Sequence, residues 1–182
     1  MLTGKKSTLE PFGEEAIPSF LKWFNDLEIT QYLNRVLPMY EHGEREWLQN
    51  LHKHVETDVV FGIKTTEKKF IGTIGLHRIN HIHQNAVLGI IIGEKEEWNK
   101  GYGGDAIMTL LEYGFSRLNL HKVKLSVFAF NKRGITCYKH CGFKEEGRLK
   151  DERVHDWGRA DEILMAVFRD DFRKLCEEWR KS

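Results

Sequence analysis

The chain has 182 residues, 41% of them hydrophobic and 30% charged, which is enough for one domain with a substantial core. Its formal net charge of +1 gives no electrostatic footprint for nucleic acid or an anionic membrane. No apolar run approaches membrane-spanning length, the N-terminal MLTGKKSTLEPFGEE is too polar for a signal peptide, and three cysteines make no disulfide framework; a single cytoplasmic domain over 1–182, with no linker or repeat, is expected.

Lys5 to Phe12 reads as a first strand. A helix is expected from Glu15 to Asn25, with Pro18 confined to its first turn and Phe20, Leu21 and Phe24 as apolar contacts. Ile29 to His42 reads as irregular, and Glu44 to Val55 as a helix with Trp47, Leu48, Leu51 and Val55 on one side. Trp23, Glu28, Tyr32, Tyr40 and Glu41 cluster in these helices and their connector. They form either a layer over a sheet or the wall of an acceptor pocket, because such loops carry specificity while the scaffold carries packing. Val59 to Lys64 and Phe70 to Ile79 read as strands joined by TTEKK, and NHIHQN leads from them to a third strand, giving an antiparallel meander. His81 and His83 in that connector, with His77 nearby, have no Cys or carboxylate at ligand spacing; a solvated loop is expected, and no metal.

The stretch AVLGIIIGEKEEWNKGYGGDA, Ala86 to Ala106, organises the rest. It reads as a buried strand to Ile92, a charged connector from Glu94 to Lys100, and a glycine turn at Gly101, Gly103 and Gly104. A helix then follows, with Ile107, Leu110, Leu111, Gly114 and Leu118 on one face. A helix that starts at glycines suits an anion, because its first amides lack partners, its dipole favours negative charge and Cβ-free residues allow close approach. The spelling Gly101-x-Gly103-x-x-Ala106 also satisfies the dinucleotide fingerprint. Against that reading, a charged segment separates strand from glycine, the next strand ends at Asn131 rather than an acid, and the preceding strands form an antiparallel series. A Walker A loop is absent.

LNLHKVKLSVFAF reads as a turn and a strand from Val123 to Phe130, and NKRGITCYKHCGF as a short helix closed by Gly142. Cys137 and Cys141, four apart on that helix, read as small hydrophobes rather than a redox or metal pair. Strands near Lys144 to Leu149 and Glu162 to Phe168 complete the sheet, and a last helix from Asp170 to Trp179 docks Phe172, Leu175 and Cys176.

The charged connector, the G-x-G-G helix start, the strand ending in Asn131 and Tyr138 just before Cys141-Gly142-Phe143 together resemble the GNAT superfamily of acetyl-CoA-dependent N-acetyltransferases. FIGTIGLHRINHIHQNAVLGIII, LNLHKVKL and YKHCGFKEEGRL are similar to the branch that holds spermidine acetyltransferases and ribosomal-protein N-terminal acetyltransferases. The resemblance implies a mixed, mostly antiparallel sheet of the α/β (α+β) class, flanked by helices, with a splayed central strand pair. It implies that Trp98, Asn99, Lys100, Gly101, Tyr102, Gly103 and Gly104 wrap the pyrophosphate of acetyl-CoA. Ile91, Ile92 and Gly93 would bond the pantetheine arm by their backbone, and Asn131 would flank the thiol end. Trp98 departs from the family's motif, Q/R-x-x-G-x-G/A, at its first position. The spermidine enzymes of the branch carry a carboxylate where this chain has Val87, which tilts the acceptor toward a protein N-terminus, with a polyamine as the other option.

The chemistry asks for a base and an acid. An alkylamine with a pKa of ~10.4 must lose a proton before it attacks a thioester, and a thiolate of pKa ~8.5 leaves more readily with a proton donor nearby. Tyr138, a phenol, is the candidate acid, and Glu94 a candidate base that also reads as the start of a solvated charged face. Glu28, Tyr32, Glu41 and Trp47 are the candidate acceptor-binding residues, because carboxylates and aromatic faces both attract a cation. A noncatalytic acyl-CoA-binding module, an acetyltransferase for aminoglycosides and, more remotely, a NAD-dependent enzyme remain alternatives. The oligomeric state is open, with a homodimer among the options.

Overall fold

The computed structural model describes residues 1–33, 38–51, 53, 56–155 and 157–181. In chain order the strands are β1 (Leu2–Thr3), β2 (Ser7–Glu10), β3 (Val59–Thr65), β4 (Phe70–Asn80), β5 (Asn85–Ile92), β6 (Lys122–Phe128), β7 (Lys144–His155) and β8 (Gly158–Phe168). The helices are α1 (Ile17–Phe24), α2 (Leu27–Thr30), α3 (Glu41–Leu51), α4 (Tyr102–Ser116), α5 (Lys132–His140) and α6 (Arg169–Lys181). The strands join in one sheet in the order β1-β2-β3-β4-β5-β6-β8-β7. All neighbours are antiparallel except β5 and β6, whose parallel ladder holds only Asn85↔Lys122, Ala86↔Val123 and Val87↔Lys124. From Leu88 onward β5 keeps β4 on one side while β6 keeps β8, so the centre of the sheet opens as the resemblance implies.

Alternation sends successive side chains of β4 to opposite faces. Leu76 meets Gly114 of α4 on one face, and the core there includes Ile74, Leu88, Ile107 and Leu111. On the other face α1 buries Phe20 and Trp23 under Phe70, with the Trp23 and Phe70 ring centroids 5.2 Å apart. Pro18 sits in the first turn of α1, where its missing N–H costs nothing.

Several bounds differ from the sequence reading. The first strand is shorter, Ser7–Glu10, and a two-residue β1 precedes it. The segment expected to be irregular starts inside α2, which is capped by Asp26 accepting from the Glu28 amide, and the second helix begins earlier, at Glu41. Residues 34–37 of that segment, and Val55 of the expected helix, lie outside the described residues. β7 runs six residues past the expected Leu149, to His155. It is an edge strand that pairs only with β8 and is largely exposed, so its charged sequence KDERVH shows no apolar alternation.

The start of α4 is fixed from a distance. Asp105, buried in its first turn, accepts from the amides of Lys5 (2.8 Å), Lys6 (3.0 Å) and Ser7 (2.9 Å) and from the Ser7 hydroxyl (2.8 Å). Lys6 Nζ adds a bond to the Lys100 carbonyl at 2.9 Å. These contacts clamp the glycine turn to the sheet edge.

Candidate functional site

Where β5 and β6 part, a cavity of about 730 Å³ opens. Its walls are Ile90–Ile92, Trp98 and Asn99, the turn Gly101 to Gly104, and the first turns of α5, with Tyr138 further along that helix. Gly101 holds φ +90°, a left-handed conformation that glycine adopts without strain, and it offers no side chain to cap α4. The first amides of α4 are thereby left for a ligand. A Cβ at Gly103 would lie 3.9 Å from Cys137 Sγ and 3.9 Å from Ile92 Cγ1, so the glycine is not required by packing. The cradle fits a pyrophosphate, and the gap between the strands fits an extended arm.

α5 is capped by Asn131, whose Oδ1 accepts from the Gly134 amide at 2.9 Å. Asn131 therefore lines the cavity and caps the helix at once. Arg133, in the first turn, lays its guanidinium 3.7 Å from the centroid of Trp98 and 5.4 Å from that of Tyr32. Trp98 in turn donates its indole N–H to the Ile92 carbonyl at 2.7 Å, pinning the connector to the strand end. The aromatic residue that breaks the family's glycine motif thus carries a cation on its face. Sequence reading missed Arg133, whose only local signal is its place two residues after Asn131.

Tyr138 is half-buried in the cavity wall, edge-on to Phe143 with centroids 6.0 Å apart. Burial pushes its phenol well above the ordinary value, and the neighbouring Cys137 and Cys141 thiols add to this. No protein hydrogen bond reaches its hydroxyl among the described residues. The two cysteines are free; a hydrogen bond between them lowers the Cys137 thiol and raises that of Cys141, whose Sγ lies 3.7 Å from the Gly104 carbonyl.

Six candidate residues stand outside the cavity, five of them held by partners of their own. Lys100 turns its ammonium to Glu97 at 3.0 Å, a carboxylate already held by Lys69 at 2.9 Å. Gly93 uses its amide on the Ile71 carbonyl at 2.8 Å. Glu94 accepts from Trp23 Nε1 and Lys22 Nζ, both at 2.9 Å; burial opposes ionisation, but these bonds prevail and hold its carboxyl below the ordinary value, which makes it a poor base. Glu28 pairs with Lys95 at 2.8 Å, and Glu41 with Arg45 at 2.9 Å, both on the surface. Of the acceptor candidates, Tyr32 lines the cavity and Trp47 lines another.

Gly93 has a packing role. A Cβ there would come within 1.9 Å of Trp23 Cδ2, and Trp23 is fully buried and anchored to Glu94. Overpacking of this kind costs about 3 kcal/mol, so Gly93→Ala should lower Tm by roughly 6–12 °C in a thermal melt. An unchanged Tm would show that the Trp23 site is not rigid.

The second cavity, about 310 Å³, lies on the α1 and α3 face. Phe20, Phe24, Glu44 and Trp47 form its roof, and Thr73, Gly75, His77 and Gly89 its floor. Ile90, Ile91 and Leu33 belong to both cavities, so the two meet where β5 leaves β6. His81 and His83 are exposed in a turn, as expected, whereas His77 is on β4 and faces this cavity. No group of three metal-binding side chains occurs among the described residues.

Comparison with known proteins agrees with this architecture. Residues 6–144 match the family model described as the acetyltransferase (GNAT) domain. The chain is 37% identical over 115 residues to a spermidine N(1)-acetyltransferase of Vibrio cholerae serotype O1, covering 63% of this chain and 66% of that one. It is 32% identical over 122 residues to the Escherichia coli K12 enzyme of the same name, covering 67% and 64%. The alignments thus span about two thirds of the length of these enzymes. A crystal structure of the Vibrio cholerae spermidine N-acetyltransferase in complex with CoA and spermine superposes with TM-score 0.82 at 30% identity, covering 92% of this chain and 98% of that one. A dodecameric structure of the Vibrio cholerae enzyme gives 0.75 at 30% identity, covering 91% and 95%. With the family model spanning most of the chain and the splayed sheet in place, the protein belongs to the GNAT acetyltransferases.

Proposed function

We propose that the protein transfers the acetyl group of acetyl-CoA to a primary amine of a polyamine. The observation that carries this reading is the junction of the two cavities at Ile90 and Ile91. One side presents the amide cradle and Tyr138, and the other an aromatic chamber with the buried carboxylate of Glu44. In this reading Gly101 to Gly104 hold the pyrophosphate through backbone amides, with Arg133 supplying the positive charge that Lys100 spends on Glu97. Ile91 lines the path of the pantetheine arm while its own backbone pairs with Thr73 of β4, and Ile92 shares its carbonyl with Trp98. Acetyl-CoA supplies the activated acetyl group; the chain orients it and moves protons. Tyr138 hands its proton to the departing sulfur. The Trp47 and Phe20 rings and Glu44 suit a cationic, partly aliphatic acceptor. The spermidine enzymes among the relatives favour a polyamine over a protein N-terminus despite Val87.

Thiol release from acetyl-CoA tests this with spermidine, an N-terminal peptide and an aminoglycoside as parallel acceptors. Release with spermidine at the highest kcat/KM is expected. CoA binding without release for any acceptor would instead identify a noncatalytic module, and a preference for the aminoglycoside would overturn the acceptor class.

A further inference from the structure

The geometry points to His77, oriented by Asp58, as the general base that deprotonates the acceptor amine. This rests on the acetyl-transfer reading above. His77 Nδ1 lies 2.8 Å from Asp58 Oδ1, in the arrangement that fixes one imidazole tautomer and leaves Nε2 to accept a proton. Asp58 is itself held by the Thr57 hydroxyl at 2.8 Å. Although burial works against its ionisation, the bonds from Thr57 and His77 keep its carboxyl below the ordinary value, so it stays an acceptor.

The ring has been given room. A Cβ at Gly75 would lie 3.0 Å from His77 Nε2, and one at Gly89 would lie 3.3 Å from it. Two side-chain-free residues, paired across β4 and β5, thus let the imidazole lean along the cavity floor toward the junction of the cavities. Gly89 is two residues from Ile91, about 7 Å along a strand, so the proton travels through water in the cavity rather than by direct contact. Glu94 cannot serve from its bonds to Lys22 and Trp23.

Among the described residues the charged groups around the ring are few. Asp58 stands before β3, Glu44 faces the same cavity from α3, and Lys124 of β6 is exposed beyond Val87, the register partner of His77. An imidazole suits the task because one ring nitrogen can donate to Asp58 while the other accepts a proton.

The steps balance. His77 Nε2 takes one proton from the acceptor ammonium and later releases it to solvent. The freed lone pair forms the C–N bond to the acetyl carbonyl carbon, and the C–S bond breaks with its electron pair on sulfur. Tyr138 gives that sulfur a proton and is reprotonated by the second proton lost from nitrogen.

The test compares wild type, His77→Gln, Asp58→Asn and Glu44→Gln with acetyl-CoA and spermidine. His77→Gln keeps a donor toward Asp58 and should fold, as checked by circular dichroism, and bind CoA normally, yet lose about 100-fold or more in kcat. Asp58→Asn keeps a hydrogen-bond partner for Nδ1 but no longer fixes the tautomer, so it should lower kcat while KM for acetyl-CoA stays unchanged. A role in folding alone would lower Tm without this split between kcat and KM. An active wild type with unchanged turnover in His77→Gln, or the loss appearing in Glu44→Gln alone, overturns the base and leaves the acetyltransferase reading standing. A wild type that binds CoA but acetylates no amine overturns both.

Discussion

Tyr138→Phe should lower turnover by about 10² to 10⁴-fold while affinity for CoA stays close to that of wild type. Phe keeps the edge-on packing against Phe143 and removes only the hydroxyl, which has no hydrogen bond to lose among the described residues. The fold should therefore be unaffected. Because burial holds the phenol above its ordinary value, it remains protonated throughout the working range, and wild-type kcat should show no basic limb from Tyr138 below pH ~10. Stopped-flow turnover, under conditions where chemistry limits the rate, measures both effects. Equal turnover in the two proteins would remove Tyr138 from the reaction and leave it as a packing residue.

Gly103→Val should abolish measurable CoA binding without unfolding the domain. The Cβ site meets only Cys137 and Ile92 at ordinary contact distance, and replacing glycine within a helix relieves a penalty of about 0.8–1 kcal/mol against alanine. Stability should hold or rise slightly. The branched side chain instead occupies the approach to the first amides of α4, where a phosphate must come close to the backbone. A loss of at least 100-fold in Kd corresponds to about 2.8 kcal/mol. Calorimetry on the folded variant decides the matter, and wild-type affinity would place the pyrophosphate elsewhere. The contrast with Gly93→Ala is informative, since one glycine is kept open for a ligand and the other for Trp23.

What the sequence made legible was local. The β5 strand, the glycine turn, α4 and the Tyr138 helix lie within short windows whose periodicity and turn residues state their geometry. Gly101 marks the turn and Gly142 the end of the Tyr138 helix by residue type, and both take φ +90°. Partnerships across the chain left no such trace. Glu94 reads as a strand-end base until Lys22 and Trp23, from α1, are seen to occupy it. Lys100 reads as a phosphate ligand until Glu97 claims it. Arg133 over Trp98 and His77 against Asp58 join residues from separate elements, and neither pair has a spacing that a window could detect. β7 reads short in the sequence because an exposed edge strand needs no apolar alternation to pair.

The Asp105 clamp has a consequence in time. Its partners Lys5, Lys6 and Ser7 are 98 to 100 residues earlier in the chain, so the turn that cradles phosphate is completed by one of the longest loop closures in the molecule. Contacts of such separation form late, after the local strands and helices have reduced the search. A ribosome-bound chain that has exposed β1 and β2 still lacks the residue they must meet. The cradle is therefore a product of nearly finished folding, and whatever loosens the first strands, whether heat, denaturant or a bulky fusion at Met1, loosens the grip on phosphate in the same event.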